Sequence, residues 1–244
     1  MQNKLLSVGE VAKLLGVSID TLRRWDTSGR LPSIRSGPKG HRYYNQLDID
    51  QYLQKIDAIA RNWTEAIQPQ EPNSDMYCQT RDTFQARLEI LESKLSKTLP
   101  IETVSLVTAI SGEIGNNSFD HNLGNWPDIP GIFFSYSLRE QKVVLADRGL
   151  GVLATLKRVR ANLATSSEAL KVAFTETISG RFPEARGNGL KFVRSIIVKN
   201  PFSLYFQTQD AMLNLKQGDS ELLVELADKT IHGCLAIIEF EEQT

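Results

Sequence analysis

The spacing of apolar positions divides the chain into two textures. Over residues 1–57, apolar side chains recur three and four apart in short runs, as on the faces of short helices. In "SVGEVAKLLG", Val11, Leu14 and Leu15 share one such face, and Gly16 ends the run. Its start reads as a capping box, with Ser7 reaching the Glu10 amide and Glu10 reaching back. Ser18 opens a second helix, "IDTLRRWDTSG", that ends near Gly29, giving helix, very short turn, helix. "RSGPKGHRYY" is a basic Gly/Pro-rich loop flanked by strand-forming residues. "NQLD" then repeats the box with Asn45 and Asp48, and a third helix, "IDQYLQKIDAIARNW", follows.

"IQPQEPNSDMYCQ", residues 67–79, holds two prolines and little periodicity, which predicts a linker. A polar helix over roughly 80–97 comes next, expected to pack on either module or to pair with a second chain. Pro100 marks the following boundary. From residue 101 a long helical pattern runs to about Asn122, with Val107, Ile110 and Ile114 as its buried stripe. Six strand-like runs follow: "GIFFSYSL", "KVVLAD", "FSLYFQT", "AMLNLK", "ELLVEL" and "CLAIIEF". The helix "GNGLKFVRSIIVKN" lies among them. Strands and helices do not alternate regularly, which disfavours a doubly wound parallel sheet. The pattern instead predicts an α/β two-layer sandwich, its mixed, mostly antiparallel sheet covered on one face by helices. The expected division is 1–57 for a head, 58–99 for a helix-rich joining segment and possible dimerisation element, and 100–244 for a body.

Composition changes this picture in three places. With 244 residues, 41% of them apolar, the chain can bury a core in each of two modules. The formal net charge is only −1, so affinity for nucleic acid has to come from a local patch. Such a patch exists: residues 20–45 hold six Lys/Arg (Arg23, Arg24, Arg30, Arg35, Lys39, Arg42) against two Asp. Cys78 and Cys234 form no metal-like cluster, which favours a reducing compartment. The N-terminus lacks a long apolar segment, and no run approaches the length of a membrane span. A cytoplasmic chain with no membrane contact is expected.

The stretch "LLSVGEVAKLLGVSIDTLRRWDTSGRLPSIRSGPKGHRYYNQLDIDQYL" resembles the winged helix-turn-helix of the MerR/excisionase superfamily. That resemblance implies double-stranded DNA as partner. It places Thr21, Arg23 and Arg24 in the major groove, and Lys39, Arg42 and Tyr43 of the wing against the backbone or a neighbouring groove. Trp25, Leu31 and Pro32 are expected in the packing of the small head. A homodimer reading paired half-sites is the family's usual arrangement.

Three short pieces of the body carry candidate chemistry. In "EIGNNSFDHN", Glu113 and Asn117 lie one helical turn apart, with Asp120 on the same side and His121 at its edge. An Asn oxygen can ligate Mg²⁺ held mainly by phosphates and water, and a Glu beside it can orient or deprotonate a nucleophile. In "ADRGLGV", Asp147 ends a strand and can accept from the exocyclic amine of adenine, while Gly149 and Gly151 admit a close approach of the backbone. In "EARGNGLKF", Gly187 and Gly189 precede a helix whose free amides suit phosphate, and Arg186 adds charge at the mouth. Each piece also has a plain reading, as a solvated helix face, a hairpin-like turn and an ordinary helix start.

Taken in order, "EIGNNSFDH", "DRGLG" and "GNGL" resemble the N, G1 and G2 boxes of the GHKL ATPases, the family of gyrase and the histidine-kinase catalytic domains. The resemblance implies a Bergerat-type ATP-binding fold with ATP and Mg²⁺ as cofactors. Asn117 would coordinate Mg²⁺ and Asp147 would read adenine. Gly149 and Gly151 would line the base and ribose. Gly187, Gly189 and Leu190, with Arg186, would form the phosphate end. Glu113 would take the position of the activating base, with His121 at the pocket. Residues 152–186 would form an ATP lid carrying Lys157, Arg158 and Arg160. None of the three histidines falls in the 80–97 helix, so histidine autophosphorylation there is not expected. The combination reads as an ATP-responsive DNA-binding transcriptional regulator, with slow hydrolysis as an option. The alternative is an anti-sigma-factor-like Ser/Thr kinase, or a nucleotide-dependent switch that binds a protein partner through the lid face.

Overall fold

The computed structural model describes residues 4–29, 31–36, 40–53, 56–177 and 189–241, and the side chains of 47, 50, 51 and 53 are outside that description. The head comprises β1 (Leu5–Ser7), α1 (Val8–Leu15), α2 (Ile19–Thr27), β2 (Ile34–Ser36), β3 (His41–Asn45) and α3 (Gln46–Leu53). Its three strands form an antiparallel sheet in the order β1-β3-β2. The α1 capping box is complete: Ser7 Oγ accepts from the Glu10 amide at 3.3 Å, and Glu10 accepts from the Ser7 amide at 2.7 Å. Gly16 ends α1 at φ 64°. Ser18 Oγ then accepts from the Thr21 amide at 3.0 Å and starts α2.

Leu6, Val11, Leu22, Trp25, Leu31, Tyr44 and Ile49 close the head core. Pro32, expected in that packing, is exposed, because the chain turns outward after Leu31 to enter the wing. The long third helix of the sequence reading is described over Gln46–Leu53 as α3 and from Ile56 as α4, and residues 54 and 55 between them lie outside the described residues.

The body follows as α4 (Ile56–Glu65), β4 (Tyr77–Cys78), α5 (Arg81–Leu95), α6 (Ile101–Asn122), β5 (Ile132–Ser137), β6 (Lys142–Asp147), α7 (Gly151–Lys157), α8 (Ser166–Thr175), α9 (Gly189–Ile197), β7 (Phe202–Thr208), β8 (Ala211–Lys216), β9 (Val224–Leu226) and β10 (Cys234–Phe240). Seven strands make one sheet in the order β4-β5-β6-β10-β7-β8-β9, antiparallel at every pairing. One face carries the main core. Phe134, Val143, Leu145, Phe206 and Ile238 meet Phe84, Leu88 and Leu91 of α5, Val107, Ile110 and Ile114 of α6, Phe174 of α8 and Val193 of α9.

The sheet is covered on both faces over part of its width, not on one. Ile56, Ala60 and Trp63 of α4 pack on Phe133, Val144, Ala146, Leu235 and Ile237, the opposite face of β5, β6 and β10. A sandwich of two layers is therefore three layers deep over those strands. Residues 58–99, expected as a joining segment, are folded into the body. The α4 helix covers the outer face, β4 extends the sheet and α5 lies on α6. The α5 helix has a polar overall composition, but Phe84, Leu88, Leu91 and Leu95 are spaced along one buried stripe. Its close approach to α6 depends on Gly112 and Gly115. A Cβ at Gly115 would overlap the Phe84 ring, and one at Gly112 would lie 3.2 Å from Leu88.

In α9 the buried positions are Val193, Ile196 and Ile197. Phe192 falls on the outer side of that stripe and is 45% exposed. Among the described residues no helix is long and apolar enough to cross a membrane.

Candidate nucleic-acid interface and nucleotide pocket

On the head, α2 presents Arg23 and Arg24 to solvent. Arg23 pairs with Asp20 at 2.8 Å across one helical turn, with both side chains exposed. An exposed pair of this kind is weak and gives way readily to a phosphate. Arg24 donates to the Thr21 hydroxyl at 3.3 Å, and Thr21 also meets the Ser18 hydroxyl at 2.9 Å. Thr21 is thus part of the helix start as well as of the outer face.

The wing hairpin is anchored to the same helix. Asp26 of α2 accepts from the Ser33 amide at 2.8 Å and from Arg42 Nε at 2.7 Å, with Arg35 at 3.5 Å. Burial works against the Asp26 charge, but the Ser33 amide and the Arg42 guanidinium outweigh it and hold the carboxyl down at about 2. Arg42 is therefore tied by its Nε to α2 and fixes the angle of the wing. Tyr43 is half-buried on β3 between Ser7 and Ile34, and Tyr44 is the core residue of the pair. Lys39, expected as a wing contact, lies outside the described residues.

In the body, α6 is the spine of the candidate pocket. One part of it carries Glu113 and Asn117, with Asn117 Nδ2 donating to Glu113 Oε1 at 3.1 Å. That leaves the amide oxygen as the end turned away from the carboxylate. Gly189, the first residue of α9, lies directly on this pair: a Cβ there would overlap Glu113 Oε1 and come 3.1 Å from Asn117 Nδ2. The next turn of α6 holds the strand-to-turn piece. Ser118 Oγ donates to Asp147 Oδ2 at 2.7 Å, and Asn122 Oδ1 accepts from the Leu150 amide at 2.8 Å. A Cβ at Gly149 would overlap the Asn122 amide.

Asp147 is buried and also accepts from the Gly149 amide at 2.8 Å. Burial raises its pKa, opposed by the Ser118 hydroxyl and the Gly149 and Cys234 amides. Gly151 sits at φ 76° with Thr208 Oγ1 3.1 Å from where its Cβ would be, and Thr208 accepts from the Val152 amide. Asp147, Gly149 and Gly189 thus meet α6, which carries Glu113 and Asn117, although 76 residues separate Glu113 from Gly189 in the sequence, while Gly151 lies against Thr208.

Other expected members stand differently. His121 is half-buried beside Arg158. Burial, then that guanidinium, pull its pKa down and keep it neutral near pH 7. Leu190 is half-buried against the main core. Asp120 pairs with Arg81 of α5. Arg186 and Gly187 lie outside the described residues, as does the stretch 178–188 of the expected lid.

Residues 151–177 contain two helices. Leu156, Leu163, Ala169 and Val172 make a small core between them, and Leu170 and Phe174 enter the main one. Arg160, expected to face phosphate, pairs with Glu176 at 2.6 Å. So the described part of the lid segment is packed against the body, held by its own apolar stripe and by the Thr165–Glu168 capping box.

Four residues that the sequence reading did not single out complete the site. Ser118, Asn122 and Thr208 hold the turn, and Arg148 anchors it from behind. The Arg148 side chain is fully buried. It donates to both Asp128 carboxylate oxygens and to the carbonyls of Trp63, Thr64 and Ala66 at the end of α4. The sequence shows only an arginine inside a glycine-rich turn, and its burial, which demands a dedicated set of acceptors, is visible in the fold alone.

Head and body are in contact. Trp25 Nε1 donates to Asp75, and Lys94 Nζ donates to the Gly16 carbonyl at 2.5 Å. Tyr52 of α3 stacks at 5.3 Å from Trp25 and also packs against the α4 cluster.

Residues 7–44 match the family model described as MerR family regulatory protein. Over 63 residues the chain is 38% identical to the type II methyltransferase M.Eco47II of Escherichia coli, a stretch amounting to 26% of this chain and 15% of that protein. The chain therefore spans only a small part of that relative's length. The α1–turn–α2 unit with its strand-backed wing, together with this match, makes the head of the chain a MerR-family helix-turn-helix.

Proposed function

We propose that this chain is an ATP-responsive DNA-binding regulator, in which a GHKL-type pocket in the body takes Mg-ATP and the MerR-family head reads duplex DNA. The observation that carries the nucleotide half is the convergence on α6. Glu113 and Asn117 meet Gly189 on one turn, and Ser118 and Asn122 grip the Asp147–Gly151 turn on the next. Gly189 lies on the Glu113–Asn117 pair and Gly149 on Asn122, so backbone without a Cβ approaches α6 at both turns.

Among the described residues no three His, Cys, Asp or Glu side chains gather as a metal cage. Mg²⁺ keeps water and phosphate oxygens and takes few protein ligands. The Asn117 amide oxygen would hold the ion, which supplies neutralisation of phosphate charge. Asp147 would accept from the adenine amine, Gly149 and Gly151 would lie along the base and ribose, and Gly189 would mark the phosphate end. Glu113 would orient water or a partner hydroxyl. On the head, Arg23 and Arg24 would lie in the major groove, with Thr21 and Tyr43 beside them and Arg42 fixing the wing. A homodimer on paired half-sites, and a protein partner on the α7–α8 face, belong to the same proposal.

The test is calorimetric titration of Mg-ATP into the parent and D147N, followed by DNA binding with and without ATP. Asn at 147 can accept from the Gly149 and Cys234 amides and donate to Ser118, so the fold should survive. Its amide would meet the adenine amine donor to donor. Saturable binding that D147N abolishes supports the pocket, whereas ATP binding unchanged in D147N overturns the adenine assignment. In the DNA assay R24A should weaken binding. A loss of sequence discrimination would mark a base contact and a uniform drop a phosphate contact. Unchanged affinity in both R23A and R24A would remove α2 from the interface.

A further inference from the structure

Between the end of β7 at Thr208 and the start of β8 at Ala211 the chain turns through Gln209 and Asp210. Gln209 stands at φ 51°, in the left-handed region that glycine usually fills in so tight a turn. A glutamine there is strained, and such strain persists only where the surroundings over-determine it. Its backbone is held in place: the Gln209 carbonyl accepts from the Ile231 amide at 3.2 Å and from Gln207 Nε2 at 2.9 Å.

Its side chain reaches the starts of two helices. The Cγ and Cδ atoms lie 3.4 and 3.5 Å from where a Cβ on Gly151, the first residue of α7, would stand. The Oε1 atom accepts from Ser166 Oγ, in the first residue of α8, at 3.1 Å. Ser166 is buried, so this hydrogen bond is shielded from water. Later turns of α8 rest on the main core through Leu170 and Phe174, and Leu156 and Leu163 join the two helices. The start of α8 meets the Gly151 turn at Gln209.

We infer that Gln209 is a positioning residue for nucleotide binding, holding the start of α8 against Gly151 and so fixing the base-side backbone of the Asp147–Gly151 turn. The inference rests on the nucleotide reading of that turn. Without this side chain Ser166 loses its acceptor and Gly151 loses part of its cover. The turn then gains freedom that a bound nucleotide has to remove, at a cost in affinity.

The variant Q209G separates positioning from stability. Glycine adopts φ 51° without strain, which offsets the lost contact, so Q209G should melt close to the parent. Q141G is the control, the same substitution at φ 50° in the loop before β6, at the opposite end of that strand from Asp147. In hydrogen exchange without nucleotide, the amides of 158–168 should exchange about fivefold faster in Q209G, as the loss of one hydrogen bond allows. Calorimetric Mg-ATP affinity should fall by about the same factor or more. Q141G should match the parent in both. S166A removes the donor, should reproduce both effects, and carries the comparison if Q209G does not fold. Parental exchange in Q209G and S166A, or parental Mg-ATP affinity in both, overturns the inference, as does an equal loss of affinity in Q141G. A parent that binds no Mg-ATP removes the nucleotide reading and this inference with it. A parent that binds, beside variants that bind equally well, removes the inference alone.

Discussion

Asp26 joins three parts of the head, since it sits on α2 and holds both the loop at Ser33 and the wing at Arg42. Its folded pKa of about 2 is below the ordinary 3.8. The stability that this depression confers is complete above the ordinary value and is lost as pH falls toward about 2. In D26N the head should lose about 1–2 kcal/mol at neutral pH. The acid limb of the unfolding curve between pH 4 and 2 should flatten, as followed by tryptophan fluorescence. An unchanged acid limb would show that the wing is held by other contacts.

Asp147 has the opposite sign. Burial raises its pKa, so keeping it ionised costs stability as pH rises past that value. D147N should therefore melt within about 1 kcal/mol of the parent at neutral pH while losing nucleotide, which separates a functional carboxylate from a structural one. Glu113 gives the third residue-scale prediction. Gln keeps the oxygen that accepts from Asn117, so E113Q should bind Mg-ATP as the parent does and lose turnover by about 10²–10⁴-fold. Equal hydrolysis rates in the two proteins would remove Glu113 from the chemistry.

At the scale of elements, the contact of α5 with α6 is the most constrained. Ala normally favours a helix over Gly by about 1 kcal/mol. At Gly115 that gain is opposed by overlap with Phe84, a fully buried ring stacked edge-on against Phe134. G115A should destabilise the body by about 1–3 kcal/mol net, the usual range for overpacking, measured by denaturant unfolding. A stabilised G115A would mean that Phe84 has room to swing aside. The same contact explains why residues 80–97 do not behave as a free polar helix. The α5 sequence "RDTFQARLEILESKL" is mostly polar, yet its four buried residues suffice to seat it because α6 offers two glycines to receive them.

For the whole molecule, Arg148 links the two faces of the sheet. It leaves the turn after β6, passes behind the candidate pocket and binds three carbonyls at the end of α4. The other end of α4 packs near Tyr52, which touches Trp25 of the head. A continuous path of packed groups thus runs from the Asp147 turn to α2. R148A would leave Asp128 and those carbonyls without their donor and should cost about 3–5 kcal/mol, visible as a large drop in melting temperature. R148A with parental stability would show the clamp to be dispensable and would break this path.

Local sequence rules determined what depends on neighbours in the chain. The Ser7–Glu10 box, the Gly16 stop, the Ser18 start, the extent of α6 and all six strand runs follow from side-chain period and capping chemistry within a few residues. Even the second covering layer left a trace: "VVLA" of β6 is buried throughout, while "AMLNLK" of β8 alternates, because α4 covers only the strands on one side. What the tertiary structure alone decided are the meetings of distant segments. Sheet order brings Thr208 of β7 to Gly151, the depth of the turn turns Arg148 inward instead of toward a ligand, and docking of the head brings Trp25 of α2 to Asp75. None of these has a local periodicity, since each depends on which strand lies beside which and on how closely two backbones approach.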